Sequence, residues 1–426
     1  MFSKMIGIFL TFLCILLISQ GASAAAPVEM KWSDCVAEAA KNNPDLAGSS
    51  QAVSQSKAEQ WISASPTLPQ ISATASLGRS DDFSGNASRD ENQYKVRGEQ
   101  LVFDGFKTFS KIKSSKQGVK ASQYGYTVTS ASVRYELRSA FVGLLRAQSL
   151  VPIMKGIIER RKQNLSMIRL KYESGREHEG SLLLAEADLA QAQYDLKRAE
   201  RDISIAQYAL NKALGRDEGI PVRVTGDFKV GSDSKGGPDL ASIADAHPAV
   251  DKVRSESRAA QYDLDSAKAA FSPVVKLSAE AGKIKPISLS SQEHGWSAGI
   301  DFTLPIFNGG ENIANLKKSR AAYMQSQFES QSKYEGVLSD LQKSWQEFQD
   351  SIENVSVQEK YLKASEVRAK ISRAEYANGL QIFDNWIIIE DNYIKAQKSY
   401  VNAQAEMLIA EAAWVMARGG DLGYEQ

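Results

Sequence analysis

Cysteine is nearly missing from this chain: 426 residues contain two, Cys14 and Cys35. Cys14 lies in an apolar run near the start, without the small residues ahead of it that a lipoprotein site needs, so Cys35 stands alone in the rest. One thiol makes no internal disulfide, packing has to hold the fold together, and a buried, inert Cys35 is expected. Histidine is scarce as well. His178, His247 and His294 are scattered, with no cysteine or close-spaced histidine beside them, and no metal site is expected. Neither sign of charge is in excess, at 51 basic against 51 acidic residues, which gives no reason to expect a nucleic-acid partner. No serine, histidine and acid constellation is recognisable. The run "GREHEGS" at 175–181 brushes the phosphate-loop pattern, but Ser181 stands where that loop needs lysine. No cofactor and no enzymatic activity are expected. Long apolar runs are also lacking after the first residues: no window approaches the roughly 18 to 20 that a membrane-spanning helix requires. Entry into a membrane would have to be by β-strands.

What is present begins with Lys4, an apolar run from Ile6 to Ile18 and small residues around Ala22, Ser23 and Ala24. Together they read as a secretory signal over 1–24, with cleavage near Ala24 or Ala26. Then comes a repeat. Phe103 and Phe307 stand 204 positions apart, and so do Pro44 and Pro248, Gly105 and Gly309, Tyr172 and Tyr376, Gly175 and Gly379, and Gly215 and Gly419. The sequence thus divides into a signal, a first repeat over 25–215, a Gly-, Ser- and Asp-rich linker over 216–238, a second repeat over 239–419, and a tail over 420–426. A short strand is expected at Val222 to Phe228 within the linker.

Within the first repeat, Trp32 to Ala64 reads as a helix interrupted at Asn42-Asn43-Pro44. "QISATASLGR" at 70–79 alternates apolar and small polar residues at strand period. After a polar loop, "SDDFSGNASRDEN", a second strand is expected from about Tyr94 to Phe103. In the second repeat Trp296, Ala298, Ile300, Phe302 and Leu304 alternate against Ser297, Gly299, Asp301 and Thr303. Each strand is about 10 residues, the length that crosses a bilayer when tilted, and the alternation suits a wall between lipid and water. From Gly105 to about Tyr172 the period becomes helical. A seam runs through Leu144, Val151, Ile158, Leu165 and Tyr172, with Ala147, Met154, Arg161 and Ile168 between them, at coiled-coil spacing. That helix would be roughly 100 Å long, with Pro152 expected to loosen one turn. A second helix returns from Leu182 to Leu214. In the other repeat the helices are expected at Glu311 to Glu375 and Asn385 to Ala417.

Four strands cannot close a barrel, since roughly eight is the smallest workable number, and open strand edges in lipid cost several kcal/mol for each unpaired group. The chain must therefore associate, and three copies would supply twelve strands. The alternative is a periplasmic coiled-coil scaffold whose strands form a small docking sheet, without channel activity.

The doubled turns "FDGFK" and "FNGGE", the "YESG" and "YANG" hairpin tips and the strand–strand–helix–helix order resemble the outer-membrane efflux protein family of the TolC type. The resemblance spans about Val28 to Gly419. It implies a mostly α fold with a small β part: long coiled-coil helices forming a periplasmic α-barrel, and four strands per chain entering a twelve-stranded trimeric barrel in outer-membrane lipid. It also implies a homotrimer, a periplasmic adaptor, an inner-membrane transporter, and export of a drug, metal or protein. By the same resemblance Tyr172, Gly175, Tyr376 and Gly379 are the adaptor-docking tips. Asp384 and Asn385 fall at the periplasmic entrance, although Asp384 also reads as a helix cap before Trp386. Phe103, Asp104, Gly105, Phe307, Asn308 and Gly309 form the barrel-to-helix turns. Phe103, Trp296, Phe302 and Phe307 are candidates for an aromatic belt. The first tip departs from the family pattern, because "GREHEGS" replaces the usual small and hydroxyl residues after its glycine.

Overall fold

The computed structural model describes residues 28–80, 89–217, 219–229, 237–284 and 293–424. The signal over 1–24, part of the polar loop, part of the linker and the end of the tail lie outside the described residues. The elements are β1 (Val28–Met30), α1 (Trp32–Asn42), α2 (Pro44–Ala64), β2 (Gln70–Ser80), β3 (Arg89–Phe103), α3 (Lys107–Glu173) and α4 (Glu179–Leu214). They continue with β4 (Val222–Val224), α5 (Leu240–Asp245), α6 (Pro248–Ala269), β5 (Val274–Ile284), β6 (Glu293–Thr303), α7 (Glu311–Ala377) and α8 (Phe383–Ala417).

Asn43 separates α1 from α2 because its side chain accepts from the backbone N–H groups of Asp45 and Leu46, while Pro44 opens the next helix at a position that needs no N–H. The two long helices, α3 and α7, each have 67 residues, about 100 Å. α3 stays helical through Pro152. Its expected seam is half right. Ala147, Met154, Arg161 and Ile168 remain buried, but the companion row rises from buried Leu144 to exposed Tyr172, and Ile157 and Asn164 take its place. A straight helix drifts about 20° per heptad relative to a 3.5-residue repeat, so a row fixed in sequence does not stay on the contact face.

One segment of α3 is, by length and composition, apolar enough to cross a membrane, contrary to the sequence expectation. Its apolar side chains serve a different purpose. Leu137, Phe141, Val142, Leu144 and Leu145 pack with Leu210 and Leu214 of α4, Leu408 of α8 and the small parallel sheet β1–β4. That sheet revises the linker reading. The strand is three residues rather than seven, and Val28–Met30, which had no strand signal, pairs with it because Val222 and Val224 plug the core from above. Cys35 is fully buried in the same cluster; burial first, then Asp34 and Glu38, push its thiol up to about 12.

The larger sheet has strand order β2–β3–β5–β6, all antiparallel. β3 begins at Arg89 rather than near Tyr94, paired with Ser80, so the second part of the polar run is strand. Ladder pairing satisfies the backbone whatever the side chains are, and polarity alone did not mark the end of the strand.

Candidate functional site

Cross-strand register sorts the large sheet into two unlike faces. Ile71, Val96, Leu277, Ile300 and Trp296 fall on one face, and most of it is bare in the protomer: Trp296 is 80% and Ile300 71% exposed. The other face is charged and internally paired. Lys95 meets Glu280 at 3.4 Å, Arg97 meets Glu99 at 2.7 Å, Lys276 lies 3.9 Å from Glu99, and Ser278 donates to Asp301 at 2.7 Å. No second sheet covers the apolar face among the described residues. In water such a surface would be a severe liability, whereas against hydrocarbon it is the expected lining.

A β-bulge sits where β3 passes Val275. Leu101 pairs with Lys276, and Phe103 rather than Val102 takes the place opposite Val275. The extra residue turns Phe103 onto the apolar face, in the row of Val275 and Phe302. The chain then turns at Asp104-Gly105-Phe106. Asp104 accepts from the Thr108 backbone at 2.8 Å and from its hydroxyl at 2.5 Å, which starts α3. Gly105 has φ of +67°, and a Cβ there would fall 2.2 Å from Ser272. In the second repeat Phe307, Asn308 and Gly309 make the matching turn: Gly309 also has φ of +67°, and Asn308 accepts from the Asn312 N–H at 3.4 Å. Phe307 is exposed.

At the far end the two helical hairpins meet. Gly175 and Gly379 both terminate helices in the left-handed conformation; the N–H of Arg176 bonds back to the Lys171 carbonyl, and that of Leu380 to Glu375. Tyr172, Gly175 and Gly379 are exposed, but Tyr376 is only 1% exposed. Tyr376 stacks on Trp386 at 4.3 Å and 10°, with Phe383 and Ile168 around it. Its hydroxyl donates to Glu177 at 2.7 Å, its carbonyl accepts from Lys171, and the Lys171 ammonium lies 3.9 Å from its ring centre. Burial raises the Tyr376 hydroxyl, and the bond to Glu177 adds to the rise. Burial also pushes Glu177 up, but bonds from Tyr376, Ser181 and the His178 backbone outweigh it, and its carboxyl ends below the usual range.

Glu177 is the first of two glutamates in the irregular "GREHEGS" run, so the departure from the family pattern is what supplies the tyrosine's partner. One level up, fully buried Glu390 accepts from Arg160 at 2.7 Å, and Arg161 bridges Asp188, at 3.2 Å, and Asp391. Sequence reasoning missed Glu177 and Arg160, because each acts through a partner about 200 positions away, and it missed Trp386, whose partner Tyr376 is only ten positions back but lies across the hairpin turn. Asp384 and Asn385 lie exposed in the first turn of α8. Ile382 occupies the cap position and no side chain caps this helix, so Asp384 is not the cap. Beside them Leu380 is 79% exposed and Ile382 is exposed as well, an apolar pair that the sequence reading did not single out.

The sequence pattern of the family described as "Outer membrane efflux protein" matches residues 35–216 and 240–420. The chain is 21% identical to the probable outer membrane lipoprotein SilC of Salmonella typhimurium, over 83% of this chain and 77% of that one. It is 21% identical to the alkaline protease secretion protein AprF of Pseudomonas aeruginosa, over 81% of this chain and 75% of that one. A solved structure of CusC superposes with a TM-score of 0.80 at 19% identity, covering 91% of each chain. The superposition shows that the four-stranded sheet continued by long helices is a fold this chain shares with that CusC structure. The chain belongs to the outer membrane efflux protein family: it is an export channel of the outer membrane that extends into the periplasm, and not an enzyme.

Proposed function

We propose that the chain works as a homotrimer, a passive duct joined to an inner-membrane transporter through a periplasmic adaptor. The observation that carries this is the open sheet. Among the described residues β2 pairs only with β3 and β6 only with β5, which leaves two strand edges without partners there while one face is apolar. Three copies joined β6 to β2 close twelve strands, hide every edge, and turn the paired charges of Lys95, Arg97, Glu99 and Glu280 toward water. The two repeats, 25–215 and 239–419 joined by the linker at 216–238, each supply one hairpin and one long helix, so the tunnel wall beneath has six long helices. Nothing in this scheme uses a cofactor or nucleic acid.

At the tips, Gly175 and Gly379 with Tyr172 form the adaptor-facing turns, and exposed Leu380 and Ile382 add apolar contact. Tyr376 acts from inside, holding the second tip to Glu177 of the first. Asp384 and Asn385 stand at the entrance, where three carboxylates would favour cations. One relative is named for alkaline protease secretion and another for cation efflux, and cargo choice in this reading rests with the transporter.

The test is extraction from outer membranes followed by gel electrophoresis with and without boiling. A heat-modifiable trimer that conducts in planar bilayers is expected; a soluble periplasmic monomer would refute the proposal. Loss of cation preference in Asp384→Ala conductance supports the entrance assignment, and unchanged selectivity removes it.

A further inference from the structure

The apolar face of the sheet does not stop at the last strand residue. Phe103 touches Phe106 edge-on at 5.8 Å, and Phe106 is in the left-handed backbone conformation at φ +66°, where the second repeat has Gly310. A non-glycine residue is disfavoured there. From Phe106 a single stripe follows helical spacing down α3 through Phe109, Lys113 and Lys116, all exposed. The Lys113 ammonium leans back over the Phe109 ring at 4.5 Å and lies 5.5 Å from the Tyr262 ring. Side chains on a helix tilt toward its N-terminus, which here is the sheet end.

The same stripe recurs in α7, 204 positions on. Ile313 stands for Phe109, Lys317 for Lys113 and Arg320 for Lys116, again all exposed. Segments 107–133 and 312–328 contain no aspartate or glutamate at all. On the packed neighbour α6, Asp263 is taken by Lys111 at 3.2 Å and Asp265 by Lys268 at 2.8 Å. No carboxylate of the described residues pairs with Lys113, Lys116, Lys317 or Arg320. Cations placed three apart on one helix face, as Lys113 and Lys116 or Lys317 and Arg320 are, repel, so the arrangement costs stability unless an anion outside the chain answers it. Lys113 lies seven residues beyond Phe106, about 10 Å along the axis, and Lys116 ten residues, about 15 Å; the headgroup layer is roughly 5 to 8 Å deep on each side of the hydrocarbon, so the cations reach its outer edge by leaning back toward the sheet, as Lys113 does over Phe109.

We infer that these two stripes bind anionic phospholipid, of the phosphatidylglycerol type, in the leaflet facing the periplasm. Phe106, Phe109 and Ile313 lie against the acyl boundary, and Lys113, Lys116, Lys317 and Arg320 hold the phosphates. The membrane contact thus extends past the strands into the first turns of the tunnel helices. The assignment rests on the channel reading above and deepens it by naming the lipid.

The experiment is native mass spectrometry of the full-length, delipidated protein in mild detergent, offered phosphatidylglycerol or phosphatidylcholine with the same acyl chains. Preferential retention of phosphatidylglycerol is expected, falling about fivefold for each cation removed in the series Lys113→Gln, Lys116→Gln, Lys317→Gln, Arg320→Gln. Lys113→Arg and Lys317→Arg keep the charge and should keep the lipid. If the fourfold variant fails to assemble, the pair Lys113→Gln/Lys317→Gln reads the same effect at smaller size. Equal retention of the two lipids, unchanged retention in the variants, or displacement of phosphatidylglycerol by millimolar inorganic phosphate would each overturn the inference. Planar-bilayer conductance is recorded in parallel: a conducting protein that ignores lipid charge defeats this inference alone, whereas a non-conducting wild type defeats the channel reading.

Discussion

Removing one oxygen at the tip gives the sharpest test of how the two hairpins are joined. In Tyr376→Phe the ring keeps its stack on Trp386 and its place under Lys171, and only the hydroxyl that donates to Glu177 is lost. A hydrogen bond to a charged group contributes about 1.5–3 kcal/mol net. Glu177 retains the Ser181 hydroxyl at 2.9 Å and its backbone contact with His178, so the lower end, about 1.5 kcal/mol, is the expected loss. That is about tenfold in the equilibrium for local opening of the tip. Hydrogen exchange of amides in 376–390 should accelerate by that factor, while amides of the core around Leu137 and Leu408 stay unchanged. In a double-mutant cycle with Glu177→Gln, the second substitution should add little once the first is present. Additive effects, or unchanged exchange at the tip, would show that the bond does not hold the hairpins together. Raised bilayer conductance in Tyr376→Phe is the functional counterpart if the tips are the narrowest part of the duct.

Other predictions follow from the same geometry. Lowering pH should loosen the tip: Glu177 is depressed in the folded protein, so its contribution is complete above the unfolded value of 4.5 and is lost as pH falls through the lower folded value, measurable as faster tip proteolysis. His247, near α6 and α7, is lowered mainly by burial, with Lys333 adding to it, so its contribution is present above 6.5 and declines as pH falls below that. Ile300→Lys, on the apolar face, should cost about 2–4 kcal/mol and reduce the yield of heat-resistant oligomer, whereas Ser297→Lys on the charged face should assemble normally. Gly282→Ala would place a methyl 2.2 Å from the Tyr94 carbonyl, forcing β3 and β5 apart, and should lower assembly yield on the same gels.

Strand and helix identity along each repeat was legible because it depends on local period. "QISATASLGR" alternates at two, "LLLAEADLAQAQYDL" repeats at about 3.6, and β2 and α4 form where those periods lie. Glycines at helix ends were legible for the same reason: Gly175 and Gly379 punctuate a chain that otherwise continues as helix. Boundaries were less so, as Arg89 shows, since a polar residue pairs as well as an apolar one once its neighbour strand is there.

Local period and a fixed spacing are properties of the chain itself, so they determined the α and β elements, the recurrence at 204 positions, and the need for partners implied by too few strands. The tertiary structure alone decided that a bulge turns Phe103 to the apolar face, that Tyr376 faces inward to Glu177 instead of outward, and that Glu390 is buried against Arg160. Those outcomes depend on which distant segment arrives opposite a residue. Spacing within one segment carries no information about that.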